Sequence, residues 1–409
     1  MALKTDFGTV LFISHDTSRT GGPIFLLRFL RWLRANTDIP FRVLAGNRGD
    51  LYADFESVCP VDSFEPKLSL YYRILRKLNL NRSHKERYLS GLREKLQTIQ
   101  ISLIYANTIA TGEMLEFLSF ADCPVLCHVH ELEGTIGMFG ARNMELVKNR
   151  ASSYIAVSQA VKNNLVEHHG ISAGAIRMIY GFIPTAQLME QGAGSSRNAV
   201  FQELGMPATA KLVCACGSLD SRKGADLFLQ VAEKTAAIFR DAPVHFVWVG
   251  GREETVNHLK KKVASSSLRG TVHFTGPRAD VGPFYQACDV FVLPSREDPF
   301  PLVMMEAALQ AKPIICFDRS GGAPEFVELD AGFVVPALDV DRMAEKAAEL
   351  LASPELASRM GAAAKQKVLT RHSVEIGAPK IASVIKNELP SSGYFFEQEQ
   401  AVLPERKTL

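Results

Sequence analysis

Short apolar runs of strand length alternate with helical patterns almost from one end of this 409-residue chain to the other. In the first half the runs are Val10–Ser14, Phe41–Ala45, Leu103–Ala106, Pro124–Cys127, Tyr154–Val157 and Ile176–Ile179. They are mostly uncharged, as strands must be when both faces of a parallel sheet are covered. Helical stretches fall between them, at Phe25–Leu33 and at Ala160–Glu167. This βαβα alternation predicts an α/β sheet with right-handed crossovers.

Around Tyr180–Arg197 the pattern gives way to YGFIPTAQLMEQGAGSSR, whose Gly, Ser, Pro and Ala read as an interdomain linker. The alternation then restarts with Leu212–Cys216, a helix from Ala225, His245–Val249, Val272–Thr275, Asp289–Leu293, Ile314–Phe317 and Phe333–Val335. Two sheets of similar size predict two Rossmann-like domains facing a cleft, over residues 1–185 and 186–372. Residues 373–409 are expected to form a helix able to return to the first domain, followed by a loosely held tail from Leu389. The length agrees with two domains of roughly 100–200 residues each.

Charge and cysteine usage exclude several classes. Forty-six Lys and Arg against forty-four Asp and Glu leave a formal charge of +2, which argues against a nucleic-acid binder with a basic surface. Seven cysteines form no CxxC pair and read as reduced core thiols, not as a disulfide framework or a zinc site. The opening MALKTDFGTVLFISHD lacks the cleavage region of a secretory leader. No apolar stretch approaches the roughly 18–20 residues of a membrane helix. The expected location is cytoplasmic, with peripheral attachment to the inner membrane face left open.

The segment richest in chemistry is Pro294–Ala307, PSREDPFPLVMMEA. It follows a strand that ends at Leu293, and ligands of open α/β sheets bind at such carboxyl ends. The helix beginning near Leu302 offers the N–H groups of Leu302 and Val303 to phosphate oxygens. Glu306, one turn into that helix, can accept two ribose hydroxyls, and Asp298, eight positions earlier, can reach another part of the same ligand. The bland alternative is a buried Pro-rich turn with an acidic cap.

This segment resembles the acidic E-x7-E signature of the retaining family 4 glycosyltransferases, whose fold is GT-B. In that family the first acid binds the hydroxyls of the donor sugar and the second binds the nucleotide ribose. Glu306 and the following Ala307 match the second position, whereas the first holds Asp298 with Glu297 beside it. On spacing, Asp298 is the residue expected at the sugar. Gly217–Gly224, GSLDSRKG, looks like the donor-phosphate loop, with Lys223 matching the lysine that binds the diphosphate. Ser218 stands where the family often has Arg, so Arg222 is the candidate for the second positive charge. Two cations matter because the leaving diphosphate gains negative charge as the glycosidic bond breaks. The alternative is a solvated pair at a turn.

The resemblance continues through the rest of the chain. Gly21 and Gly22, after the first strand, match a loop beside the donor phosphate and acceptor, although most Gly-Gly pairs are ordinary turns. In CHVHELE, Cys127–Glu133, strand alternation puts His128 and His130 on one face. A metal pair with Glu131 lacks a third local ligand. His130 instead resembles the family histidine near the reacting carbon, and His128 reads as structural. Tyr154–Ser158, Gly250-Gly251 and Thr275-Gly276 followed by Arg278 are further landmarks, with Gly276 near the base. The DxD at Asp339–Asp341 is read as a helix N-cap and not as a metal motif.

The resemblance implies a sugar transferred from a nucleotide diphosphate donor to a glycan, lipid-linked or small-molecule acceptor, with retention and without an obligatory metal or other cofactor. The rivals are a nucleotide-sugar epimerase and a catalytically silent GT-B subunit that binds nucleotide or glycan. Lys67–Lys95 stands apart, with nine Lys or Arg against two Glu. Leu68, Tyr71, Tyr72, Leu75 and Leu78 recur at helical spacing, with Arg73, Arg76 and Lys77 off that stripe. This segment can lie on an anionic membrane, pack on the sheet with its basic face outward, or meet an anionic acceptor.

Overall fold

The computed structural model describes residues 8–66, 82–192 and 196–389. The first sheet has seven parallel strands: β1 (Thr9–Asp16), β2 (Phe41–Asn47), β3 (Val61–Ser63), β4 (Ile101–Asn107), β5 (Val125–Val129), β6 (Ser153–Ala156) and β7 (Ile176–Met178). The second has six: β8 (Lys211–Cys216), β9 (Val244–Val249), β10 (Val272–Gly276), β11 (Val290–Leu293), β12 (Ile314–Phe317) and β13 (Gly332–Val335). Every residue of β5, β9, β11 and β12 is buried, which is why these strands read as unbroken apolar runs.

The spatial orders are β3-β2-β1-β4-β5-β6-β7 and β10-β9-β8-β11-β12-β13. Each sheet therefore reverses its winding once, between β1 and β4 and between β8 and β11. Connections leave opposite faces there and open a crevice at the carboxyl ends of the strands, where open α/β sheets bind ligands.

The segment read as a linker is more ordered than its composition predicts, because Thr185–Gly192 and Arg197–Glu203 are helices. The chain returns at the same point. Ile183 N–H donates to His372 O and Val374 N–H to Ile183 O, each at 2.9 Å. The last helix, Val374–Glu388, then lays Val374, Ala378, Ile381 and Ile385 in one core with Val10, Phe12, Phe29 and Leu33 of the first domain. All seven cysteines are free thiols and five are buried. Asp339 caps the helix Val340–Ala352 by accepting from Arg342 N–H at 2.9 Å, so that DxD is spent on a helix start.

Candidate active site

In the first domain the site grows from the ends of β1, β4 and β5. The helix Gly21–Asn36 starts on the glycine pair, and a Cβ on Gly22 would meet Thr108 at 3.4 Å, whereas one on Gly21 would meet nothing. Asn107, the fully buried last residue of β4, donates from Nδ2 to Gly22 O at 3.2 Å. Its Oδ1 is therefore the acceptor for His130 Nε2, 3.0 Å away, which places the imidazole proton on Nε2. The Gly-Gly loop, β4 and His130 thus form one hydrogen-bonded unit. Burial, helped by His15, lowers the pKa of His130 to about 3, so the ring is neutral at physiological pH.

Glu131 Oε2 accepts from the N–H of His130 at 2.9 Å and of Ile109 at 3.4 Å. Burial raises its pKa to about 7, against the opposing pull of those bonds and one from the Thr108 side chain. Between them, Thr108 has a φ of 99°, a conformation costly for a β-branched residue. The loops that carry Asn107 and His130 are therefore held by strained, buried contacts and not by free turns. His128 is fully buried, with Nδ1 against the Tyr105 hydroxyl, a core position as expected.

In the second domain the acidic loop leaves β11. Asp298 is buried and its carboxylate pairs with Lys223 Nζ from the loop after β8. Two glycines make this approach feasible. Gly224 has φ 75° and a Cβ there would sit 1.9 Å from Pro294 O. Gly321 has φ 116° and its Cβ would sit 2.0 Å from Asp298 O. No other residue fits either place. Asp220 Oδ1 accepts from Lys223 N–H at 2.9 Å and shapes the phosphate-type loop.

Arg222 and Glu297 turn elsewhere. Arg222 Nη1 donates to Glu297 O at 3.0 Å, bracing the acidic loop through its backbone. The Glu297 carboxylate leaves the loop and accepts from Gly134 and Thr135 of the first domain. Of the two neighbouring acids, Asp298 is thus the one beside Lys223.

The helix Leu302–Leu309 begins after Pro301 with no side-chain cap at its start, where Leu302 and Val303 lie partly buried. Glu306 accepts from Arg28 Nη2 of the first domain at 2.7 Å and from the Tyr285 hydroxyl at 3.4 Å. Gly276 closes the outer strand β10 with φ 75°, its carbonyl accepting from Gly250 N–H at 2.9 Å.

The structure thus groups Gly22 with His130 through Asn107, Lys223 with Asp298, and Glu306 with Arg28. Sequence reasoning missed Asn107 and Arg28. A polar residue ending the buried strand ISLIYAN was the available signal for Asn107, whereas Arg28 is one of several arginines on its helix. Among the described residues no group of three or more His, Cys, Asp and Glu could hold a metal ion, and no helix is long and apolar enough to cross a membrane. Leu68, Tyr71, Tyr72, Leu75, Leu78, Arg73, Arg76 and Lys77 lie outside the described residues. Further along, Lys85 pairs with Glu65, Lys95 with Asp62, and Arg93 Nη2 donates to Phe117 O at 3.1 Å.

Comparison with known families matches residues 18–187 to the model described as glycosyltransferase family 4 and residues 196–367 to glycosyl transferases group 1. Among curated relatives, a GDP-mannose-dependent monoacylated alpha-(1-6)-phosphatidylinositol monomannoside mannosyltransferase of Corynebacterium glutamicum is 28% identical over 227 residues, 51% of this chain and 58% of that one. A D-inositol 3-phosphate glycosyltransferase of Corynebacterium diphtheriae is 28% identical over 210 residues, 49% of this chain and 48% of that one. The chain thus spans about half the length of these relatives. Among solved structures, HepE of Anabaena in complex with UDP and glucose superposes with a TM-score of 0.75 at 22% identity, covering 93% of this chain and 99% of that one. That likeness fixes the GT-B architecture of two Rossmann-like domains.

Proposed function

The chain belongs to the family 4, group 1 glycosyltransferases of GT-B fold, and from that premise we propose that it moves a sugar from a nucleoside diphosphate donor to a glycan, lipid-linked or small-molecule acceptor with retention of configuration. The observation that carries this is the pairing of Lys223 with Asp298 at the reversal point of the second sheet. A cation suited to phosphate beside a carboxylate suited to sugar hydroxyls supports a ligand that carries both groups. The relatives' names, which include a GDP-mannose-dependent enzyme and a complex with UDP and glucose, support this class of donor.

In this reading Lys223 and the N–H groups of Leu302 and Val303 take the diphosphate, Asp298 the sugar and Glu306 the ribose, while Arg222 braces the acidic loop through Glu297 O. Gly21, Gly22 and Gly276 let backbone approach the donor closely. The glycosidic bond breaks as the acceptor oxygen bonds to the anomeric carbon on the same face. The departing diphosphate oxygen takes the acceptor's proton, so no separate base or metal is needed. Neutral His130 suits this chemistry, because a cationic ring would repel the oxocarbenium-like state. The acceptor lies on the first-domain side, in the cytoplasm or at the inner membrane face, with Arg73, Arg76 and Lys77 as the basic side chains to test there.

The test is a panel of nucleotide sugars incubated with the full chain, with and without acceptor extracts, and read by mass spectrometry. Transfer that depends on acceptor is expected. Sugar inversion without acceptor would make the protein an epimerase, and tight nucleotide binding without turnover a silent binding subunit.

A further inference from the structure

Arg28 sits on the first domain's helix Gly21–Asn36, yet its nearest charge belongs to the second domain. Nη2 donates to Glu306 Oε1 at 2.7 Å, while the Tyr285 hydroxyl donates to Oε2 at 3.4 Å. The other terminal nitrogen, Nη1, is buried and has no hydrogen-bond partner among the described residues. Buried N–H groups without an acceptor are rare in native proteins, and this one lies beside Glu306, where it is free to donate to a ligand.

We propose that Arg28 is a nucleotide-binding residue contributed by the first domain, holding the Glu306 carboxylate through Nη2 and donating through Nη1 to an oxygen on the nucleoside part of the donor. The proposal rests on the reading of Glu306 as the ribose-binding residue. A ribose that donates its hydroxyl protons to Glu306 keeps oxygen lone pairs free to accept. A guanidinium already anchored on that carboxylate is the adjacent donor. Its nitrogens are fixed in one plane, so seating Nη2 on Glu306 sets the bearing of Nη1, which a lysine could not do.

The charges point the same way. Without Arg28, Glu306 would present an uncompensated negative charge to a diphosphate ligand. The two side chains are only 15% and 17% exposed, so solvent screens their pairing weakly. Because the partners come from different domains, the nucleoside is gripped from both sides of the cleft, and its binding reports on closure.

The experiment is calorimetry on the full chain with UDP and GDP, with UMP and GMP, and with inorganic pyrophosphate, comparing wild type, Arg28→Met and Arg28→Lys. Arg28→Met is expected to lose tenfold or more in affinity for the preferred diphosphate and for its monophosphate, with pyrophosphate binding unchanged. Arg28→Lys, which restores charge but not the fork, is expected to stay well below wild type, and it also answers the case in which Arg28→Met does not fold. Wild-type affinity in Arg28→Met overturns the proposal, as does tighter binding, which would make the ion pair a latch standing where the ribose goes. Full recovery in Arg28→Lys also overturns it, because neutralising Glu306 would then suffice. A wild type that binds no nucleoside diphosphate, ADP and dTDP included, overturns the glycosyltransferase reading itself and this assignment with it.

Discussion

Glu297 of the second domain lays its carboxylate on the start of the first domain's helix Glu133–Phe139, accepting from Gly134 N–H at 2.8 Å and Thr135 N–H at 3.2 Å. Glu325 does the same for the helix Gln159–Glu167, accepting from the N–H groups of Gln159 and Ala160, both at 2.8 Å. A carboxylate at the positive end of a helix contributes about 0.3–1 kcal/mol, more when partly buried. Here each also ties one domain to the other.

Changing both carboxylates to amides, Glu297→Gln with Glu325→Gln, is therefore expected to loosen the contact between the domains more than it weakens either domain. Small-angle scattering should show a larger radius of gyration for the double variant without nucleotide, and thermal unfolding a drop of a few degrees. An identical scattering curve would show that these contacts do not hold the cleft.

Glu306→Ala should cost roughly tenfold to a hundredfold in nucleotide affinity, because charge-assisted hydrogen bonds of about 1.5–3 kcal/mol are lost. Calorimetry with the preferred nucleotide checks this, and unchanged affinity in a folded variant would remove Glu306 from the site.

Lys223→Ala should lower kcat more than nucleoside binding, because its charge acts most strongly on the departing diphosphate. It also leaves buried Asp298 unpaired, an arrangement that costs about 3–5 kcal/mol when a buried pair is broken. The double variant Lys223→Ala with Asp298→Asn is expected to regain stability but not turnover. Recovery of both would reduce Lys223 to a turn residue.

The neighbours His130 and Glu131 should bend the pH dependence of stability in opposite senses. The folded pKa of His130 is about 3, below the ordinary 6.5, so its contribution is complete above about 6.5 and is lost as pH falls toward 3. The folded pKa of Glu131 is about 7, above the ordinary 4.5, so its contribution is complete below about 4.5 and is lost as pH rises to 7. The two slopes oppose each other between 4.5 and 6.5. Urea unfolding across pH 4–8 should show Glu131→Gln without the fall toward neutral pH and His130→Asn without the loss on the acid side.

For the basic segment, wild type is expected to sediment with anionic vesicles at low salt and release at high salt. The Arg73, Arg76 and Lys77→Glu variant should stay in solution, since each charge contributes about 1 kcal/mol at an anionic surface. Wild type remaining in the supernatant at low salt would favour a soluble acceptor.

The strands were legible because burial on both faces erases polarity, and the acidic loop because Asp298 and Glu306 keep a fixed spacing on one strand-loop-helix unit. The strand Val61–Ser63 escaped, being three residues long with Asp62 at its centre. The helix Thr185–Gly192 escaped because glycine and serine just beyond it read as linker. Partners from distant segments could not be read at all. Nothing in RFLRWLR selects Arg28 for Glu306, 278 positions away, and nothing in RED shows that Glu297 leaves the loop while Asp298 stays.

The last helix, Val374–Glu388, packs on the helix Gly21–Asn36 of the first domain, whose final strand ended at Met178. During synthesis at about 5–20 residues per second, the first domain therefore waits roughly 10–40 s for the helix that packs on Gly21–Asn36 while the second domain emerges. The half that begins first is completed last. A chain that stops between the second domain and Val374 would leave the helix Gly21–Asn36 without this apolar cover.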